Sequence, residues 1–535
     1  MVALPILVLF YFIYYEPLQG LMAAPSDTSH TSARSSSSSN NPSGQIYKVD
    51  SLHSVFVKTK SGTIQGERID VMNKEIDVFL GIPFAEPPIG DLRFRKPKEV
   101  KPWNGIYRAI RHSRPCLQYR MDHRVKDATW ISPVASSEDC LYLNLWSSVN
   151  QKPQPNNLKP VLIWIYGGSF ISGSADVDMY DGGILASFGD IIVVTFNYRL
   201  GVLGFLNANH ESSPGNVGLH DQAMVIRWVR SNIEAFGGDP DAITLAGSGS
   251  GATSVGFHLI SPVTRNLFKR AILGSGSPLY PQVLEEPSLT VDRSQQLAIR
   301  VSCANDRVNI YKHAEDVTNC LRKLEANFLA KAGDEMMVGI HPPFGASVGN
   351  EFLPFNPYGA VKVTSELGPL KEILMGSVKD EGSLLLYTTF PKIFSSQNPK
   401  KVSAHQVVPL IEEAFRFMPN PGPKLITHFF MNDLNTSDHN HIRDKFYETL
   451  GDFVTVCPSV FFGEQMSVMN FTVYHYFFTH RPSNSRWGKW MGVVTHDEVP
   501  FLFGMPFTRP HDFSEDEREF SARIMETWVN FVRFG

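Results

Sequence analysis

The sequence lacks both a large net charge of either sign and, after its N-terminal end, a long apolar run. Lysine and arginine number 49 against 53 aspartate and glutamate residues, so the formal net charge is only −4. This balance argues against nucleic acid as a partner and against electrostatic binding to a membrane. Because no later segment approaches the length of a transmembrane helix, we expect a soluble protein. We expect neither a metal nor a cofactor.

Cysteine is also scarce, and the number of cysteines is odd. The five are Cys116, Cys140, Cys303, Cys320 and Cys457. The first two and the next two are each close enough in sequence to close a local disulfide loop, which leaves one thiol over. Acceptor sequons for N-glycosylation begin at Asn435 and Asn470, and they agree with an extracellular setting.

The N-terminal end reads as a secretory signal peptide. Residues 2–13 are almost wholly apolar, and small residues follow at Ala23 and Ala24. An uncleaved anchor is the alternative, because no lysine or arginine precedes the apolar run. We therefore predict a signal peptide over residues 1–24, a disordered Ser-rich segment over 25–48 and a folded domain over 49–535.

Short apolar runs that lead into glycine turns recur along the folded part. They occupy residues 161–166, 190–196, 242–246, 271–274 and 373–376, and residues 219–236 have helical spacing between two of them. Strands that alternate with helices indicate an α/β protein with a mostly parallel central sheet and helices on both faces.

The segment 244–252, TLAGSGSGA, has the glycine pattern of a nucleophile elbow without its nucleophile. An elbow reads G-x-S-x-G and presents a serine at a sharp turn between a strand and a helix. Here Gly247 and Gly251 are the outer glycines, and Gly249 stands at the place of the serine. Ser248 and Ser250 are out of frame. A flexible Ser/Gly loop is the alternative, but the strand pattern before it and the helical pattern after it favour an elbow.

Six further segments make the chain similar to the cholinesterase/type-B carboxylesterase family. They are GIPFAEPP at 81–88, EDCLYLN at 138–144, YGGSF at 166–170, NYRLGVLGF at 197–205, FGGDP at 236–240 and KDEG at 379–382. The resemblance runs from about residue 55 to the end and implies the α/β-hydrolase fold. It also implies a Ser–His–Glu triad with backbone N–H groups that stabilise the oxyanion.

Carried over residue by residue, the resemblance implies that two triad members are replaced. Gly249 occupies the nucleophile position. Thr495 occupies the histidine position, because the family's H-G-x-E reads T-H-D-E at 495–498. Glu381 is the retained acid, and it can equally be a structural hydrogen-bond acceptor. The oxyanion donors are matched by Gly168, Ser169 and Ser250.

Two aromatic side chains near this apparatus have open roles. His496 stands one residue after the expected histidine, and we interpret it as an ordinary loop histidine because a one-residue shift turns a side chain elsewhere. The alternative is a displaced base that acts with Ser248 or Ser250. Trp130 precedes Cys140 by ten residues, the spacing of the tryptophan that stacks on choline in cholinesterases. It can equally be an aromatic at the rim of a disulfide loop.

Three functional hypotheses follow from these replacements. The glycine in the elbow is similar to that of neuroligins, and it favours a secreted, non-catalytic protein that binds an extracellular protein in adhesion. The second hypothesis is a binder of a choline-type small molecule, and the third is a weak carboxylesterase or cholinesterase with displaced residues. The resemblance also implies that the family's C-terminal dimer helix and the partner of Cys457 are missing, so a homodimer would lack its usual interface.

Overall fold

A large mixed sheet is the centre of the part of the chain that the computed structural model describes, namely residues 53–119, 132–149, 158–280, 284–362, 369, 371–432 and 434–535. Its strands are β1 (His53–Thr59), β2 (Gly62–Val71), β3 (Lys74–Pro83), β4 (Ile106–Arg108), β5 (Tyr142–Ser148), β6 (Lys159–Ile165), β7 (Ile192–Phe196), β10 (Gly238–Ser248), β11 (Arg270–Gly274), β14 (Glu372–Val378) and β15 (Thr472–Phe478). Two small ribbons pair β8 (Asn207–His210) with β9 (Ser213–Pro214) and β12 (Leu284–Glu285) with β13 (Ala346–Ser347).

Helices connect most of these strands. They are α1 (Gly183–Gly189), α2 (Gly201–Phe205), α3 (Val217–Asn232), α4 (Ser250–Ile260), α5 (Pro287–Arg300), α6 (Ala314–Lys323), α7 (Ala326–Asp334), α8 (Pro357–Ala360), α9 (Gly382–Thr389), α10 (Ala404–Ala414), α11 (Gly422–Met431), α12 (His439–Gly451), α13 (Cys457–Val468), α14 (Val499–Leu502), α15 (Met505–Thr508) and α16 (Glu515–Phe534). In the described ranges, none of the helices is both long enough and apolar enough to cross a bilayer.

The strand order is β1-β2-β3-β5-β7-β6-β10-β11-β14-β15, and β4 pairs with β2. Along this path, neighbouring strands pair antiparallel from β1 through β2, β3 and β5 to β7. From β7 through β6, β10, β11 and β14 to β15, neighbouring strands pair parallel. The predicted mostly parallel sheet is thus confirmed. The antiparallel strands form one side of it, which the pattern of strands and glycine turns did not indicate.

The parallel strands are apolar along their whole length because helices cover both of their faces. Ile163 of β6, Leu245 of β10 and Ile272 of β11 are fully buried. Every residue of α4 is buried as well, so this helix lies inside the protein rather than on its surface. Such two-sided burial explains why these strands read as continuous apolar runs instead of alternating patterns.

The parallel strands place several chain segments at one edge of the sheet. Their carboxyl ends meet there, which is where open α/β sheets bind their ligands. Gly167 follows β6, Gly249 follows β10, Ser275 follows β11 and Glu381 comes soon after β14. The N–H of Gly249 donates to the carbonyl oxygen of Gly274 at 2.8 Å, which ties the turn after β10 to its neighbour β11.

Two disulfides close the loops that the cysteine spacing predicts. Cys116 is bonded to Cys140, and Cys303 is bonded to Cys320. Cys457 is an exposed thiol at the start of α13. Asn435 and Asn470, the two acceptors for glycosylation, are both exposed. The predicted signal peptide and Ser-rich segment lie outside the described residues.

Candidate functional site

The turn between β10 and α4 has the backbone of a nucleophile elbow. Gly249 has φ 59° and ψ −124°, a conformation that residues with a side chain rarely adopt. Glycine takes it without steric penalty. The elbow geometry that the glycine spacing predicts is therefore present, and the residue at its apex has no side chain to act as a nucleophile.

A side chain at this apex would face the imidazole of His496. A Cβ atom built on Gly249 would lie 3.2 Å from Cε1 and 3.5 Å from Nε2 of His496, and apart from its chain neighbours no other atom of the described residues lies within 4 Å. The first distance is tighter than ordinary contact, so the ring would have to shift by a few tenths of an ångström. The imidazole therefore borders the place where a serine hydroxyl would stand.

The residues expected as oxyanion donors lie around the same cavity as Gly249. Gly168, Ser169 and Ser250 all line it. Gly168 and Ser169 have φ of 120° and 55°, and the carbonyl oxygen of Gly168 accepts hydrogen bonds from the N–H groups of Ile171 and Ser172. This tight turn after β6 holds the peptide groups beside the N-terminus of α4, where N–H groups favour a negative charge.

Glu381 is paired with Thr495 instead of a histidine. The Thr495 hydroxyl lies 2.7 Å from Glu381 Oε2 and 3.1 Å from its backbone oxygen, and the Val378 N–H donates to Oε1 at 2.9 Å. Burial raises the pKa of the Glu381 carboxyl. Hydrogen bonds from Ser275, Thr495 and Val378 oppose that rise. The carboxyl is thus held in place by partners that cannot serve as a base.

His496 lies in the site, so our expectation that the one-residue shift turns its side chain elsewhere is wrong. It lines the cavity, and its Nδ1 is 2.7 Å from the hydroxyl of Ser248. Its φ of 78° is in the left-handed region that favours glycine, and this conformation turns the side chain inward rather than away. Burial lowers the pKa of the imidazole to about 4, so His496 is neutral at physiological pH.

A buried carboxyl completes this network. The Ser248 hydroxyl donates to Glu498 Oε1 at 3.2 Å, and both side chains are almost fully buried. Burial, together with the nearby carboxyl of Glu381, raises the pKa of Glu498 to about 8. Burial also raises the pKa of the adjacent Asp497 to about 7. Glu498 received no role in the sequence analysis, and Ser248 received one only as a displaced nucleophile that would act with His496. The one sequence signal for Glu498 is that it is the glutamate at the end of the segment 495–498.

A cavity that opens to solvent lies above these residues. Apolar side chains form much of its wall, among them Ile171, Ile340, Leu384 and Leu385. Polar side chains line it as well, among them Gln118, Asp334 and His496. This arrangement, an apolar cavity with a few convergent polar groups, is typical of a small-molecule site. Trp130, the expected choline-stacking residue, lies outside the described residues.

Comparison with known proteins identifies the class to which this fold and site belong. Residues 53–535 match the model of the carboxylesterase family, so the chain belongs to that family of α/β-hydrolase fold proteins. The family comprises carboxylic ester hydrolases. The membership of this chain in the family and its two disulfides indicate an extracellular protein.

Particular relatives in this family are cholinesterases. The chain is 35% identical over 487 residues to acetylcholinesterase-1 of Trittame loki, covering 89% of this chain and 86% of that protein. It is 35% identical over 501 residues to acetylcholinesterase of Leptinotarsa decemlineata, covering 90% and 79%. It is 34% identical over 492 residues to cholinesterase of Mus musculus, also covering 90% and 79%.

Proposed function

We propose that this chain is a non-catalytic member of the carboxylesterase family that binds another extracellular protein in the manner of a neuroligin. The observation that carries the proposal is the pair of replacements at the floor of the cavity. Gly249 stands at the apex of the elbow, and Thr495 is bonded to Glu381 where a triad would place histidine. Ester cleavage by acyl transfer needs a nucleophile and a base that accepts its proton.

The size of the loss makes turnover by this route negligible. In subtilisin, removal of the nucleophilic serine lowers kcat by about 10⁶-fold, and removal of the other triad members adds little more. A family enzyme that turns over at about 10 per second would then need about a day for one turnover. A site with such a turnover rate has no practical role in ester hydrolysis.

The experiment compares the wild type with the triple variant Gly249→Ser, Thr495→His, His496→Gly. A histidine at 495 would lie beside Glu381, and a glycine at 496 would take the positive φ without strain. We expect no hydrolysis of acetylthiocholine or of an aryl ester by the wild type and measurable hydrolysis by the variant. Wild-type turnover at a rate of about 1 per second or more would overturn the proposal.

The adhesion role has its own test. The full secreted chain, fluorescently labelled, is expected to bind saturably to cells that display its partner, and brief protease treatment of those cells should abolish the binding. A mixture with unlabelled protein controls for specificity. Saturable binding that survives protease treatment would argue against a protein partner.

A second candidate function, binding of a choline-type molecule without turnover, is supported by the preserved cavity. This function predicts quenching of tryptophan fluorescence by a quaternary ammonium compound and loss of that signal in Trp130→Ala. The absence of a saturable signal at about millimolar ligand would remove this candidate.

The third candidate is an esterase with a displaced serine. The surroundings of the two serines beside Gly249, Ser248 and Ser250, disfavour it. The hydroxyl of Ser248 is buried under the elbow against His496 and Glu498. Ser250 Oγ accepts a hydrogen bond from the N–H of Phe170 at 3.3 Å. Labelling of the wild type by an organophosphonate that is lost in Ser250→Ala would reinstate this candidate.

A further inference from the structure

We propose that His496 is placed as a general base for any hydroxyl group that enters the space at Gly249, so that the chain lacks only the nucleophile of an acyl-transfer site. The inference rests on the proposed loss of catalysis and adds a residue to the site that the family's triad does not include. His496 is not oriented by a carboxylate as a triad histidine is, because Glu381 accepts a hydrogen bond from Thr495 instead.

The distances at the elbow are those of a nucleophile and its base. A Cβ at position 249 would lie 3.5 Å from Nε2 of His496. A hydroxyl oxygen one bond further out can reach the hydrogen-bond range of about 2.6–3.2 Å by rotation about that bond. A small alcohol that occupies the same space has the same access.

The contacts behind the ring hold its orientation. Nδ1 of His496 lies 2.7 Å from the Ser248 hydroxyl, which also lies 3.2 Å from Glu498 Oε1. With Nδ1 in this contact, Nε2 borders the space at Gly249. The proposed base is the tautomer with the proton on Nδ1, which carries its lone pair on Nε2. Ser248 is therefore a positioning residue, and it takes the part that a carboxylate has in a triad.

The backbone at His496 gives independent support. Its φ of 78° is unfavourable for a residue with a side chain, and a glycine would adopt it freely. Strained conformations persist where surrounding contacts fix them, and they cluster at functional sites. At His496 the imidazole contacts Ser248 on one side and borders Gly249 on the other.

The reaction that this arrangement supports is transfer of an acyl group from an activated aryl ester to the entering hydroxyl. The hydroxyl oxygen bonds to the ester carbon while its proton passes to Nε2 of His496. The negative charge on the former carbonyl oxygen lies against the N–H groups near Gly168 and Ser169. Collapse of the intermediate then breaks the bond to the phenol oxygen, which takes the proton from His496. With methanol as the alcohol, the products are a methyl ester and the phenol.

The first test uses the wild-type protein with methanol, which replaces the missing serine side chain. We expect methanol to accelerate phenol release from a nitrophenyl ester saturably and the methyl ester to appear as product. His496→Gln should lower the methanol-dependent rate by about 100-fold, whereas His511→Gln, at an exposed histidine, should leave it unchanged. No acceleration, or an equal acceleration in His496→Gln, would overturn the inference.

The second test installs the hydroxyl covalently. Gly249→Ser should be labelled by a fluorophosphonate, Gly249→Ala should not, and Gly249→Ser combined with His496→Gln should be labelled about 100-fold more slowly. Adding Ser248→Ala should lower the limiting labelling rate without weakening probe affinity, which a purely structural role would not predict. Because no carboxylate pairs with Nδ1, we expect Gly249→Ser to react up to about 10⁴-fold more slowly than the triple variant.

The two proposals fail in different experiments. Hydrolysis by the wild type without methanol contradicts the proposed loss of catalysis. A wild type that is silent both with and without methanol, together with an unlabelled Gly249→Ser that unfolds like the wild type, leaves the loss of catalysis standing and refutes the role of His496.

Discussion

Glu498 makes the stability of this protein depend on pH in a direction opposite to that of most carboxylates. Its pKa rises from 4.5 to about 8, mainly because burial disfavours the charged form and the neighbouring Glu381 carboxyl adds to the effect. A carboxyl whose pKa is raised in the folded state stabilises the fold below its unfolded pKa. That stability is lost as the pH rises through the folded value.

The expected magnitude follows from the width of this interval. Between pH 5 and pH 7 the carboxyl is ionised in the unfolded chain and mostly protonated in the folded one. Each pH unit then lowers the free energy of unfolding by about 1.4 kcal/mol, so this group accounts for about 2–3 kcal/mol over the two units. Glu498→Gln removes the titration. It also keeps a neutral donor at Oε2, an atom that has no hydrogen-bond partner among the described residues.

Urea unfolding with intact disulfides at pH 5, 6 and 7 measures the effect. We expect the wild type to lose about 2–3 kcal/mol more than Glu498→Gln between pH 5 and pH 7. The buried Asp497 adds a similar slope to both proteins, so the difference between them isolates Glu498. Glu464→Gln, at an exposed position of α13, serves as the control and should follow the wild type. Parallel curves for the wild type and Glu498→Gln would refute the reasoning.

Three further predictions concern other parts of the structure. Ser169→Gly should raise the free energy of unfolding by about 0.5–1 kcal/mol in urea, since φ is 55° there, and a loss would contradict the strain argument. Asp221→Ala should lower it by about 3–5 kcal/mol, because it strands the buried guanidinium of Arg199, whose Nη2 lies 2.7 Å from Asp221; a loss under about 1 kcal/mol would contradict this. Asn435→Gln and Asn470→Gln should each remove one glycan mass from the secreted protein, and an unchanged mass would refute use of that sequon.

Much of the fold could be predicted because its signals are local. The buried strands are continuous apolar runs, and the turns that follow them contain glycine, so the alternation of strands and helices is visible in the sequence. Each disulfide joins cysteines within one loop, at separations of 24 and 17 residues. The elbow is recognisable because Gly247, Gly249 and Gly251 have fixed spacing around a single turn.

The partners at the cavity floor could not be predicted in the same way. Glu381 and Thr495 are 114 residues apart, and Ser248 and His496 are 248 apart, so only the assembled sheet brings them together. The direction of the His496 side chain depends on a positive φ that no local pattern indicates. The one-residue offset that argued against its participation assumed an extended backbone, in which successive side chains alternate.

The outer glycines of the elbow have a consequence for how sequences in this family drift. A Cβ at Gly251 would lie 2.0 Å from the carbonyl oxygen of Ile165, and one at Gly247 would lie 2.5 Å from the carbonyl carbon of Gly251. Both glycines are thus required by the contact between β6, β10 and α4, whatever the protein does. Position 249 meets no such backbone obstacle. Once selection for turnover ends, the outer glycines must persist, while the residue at 249 can become glycine, which takes the positive φ without strain. A glycine frame alone should therefore not be used to assign hydrolase activity to a newly sequenced chain.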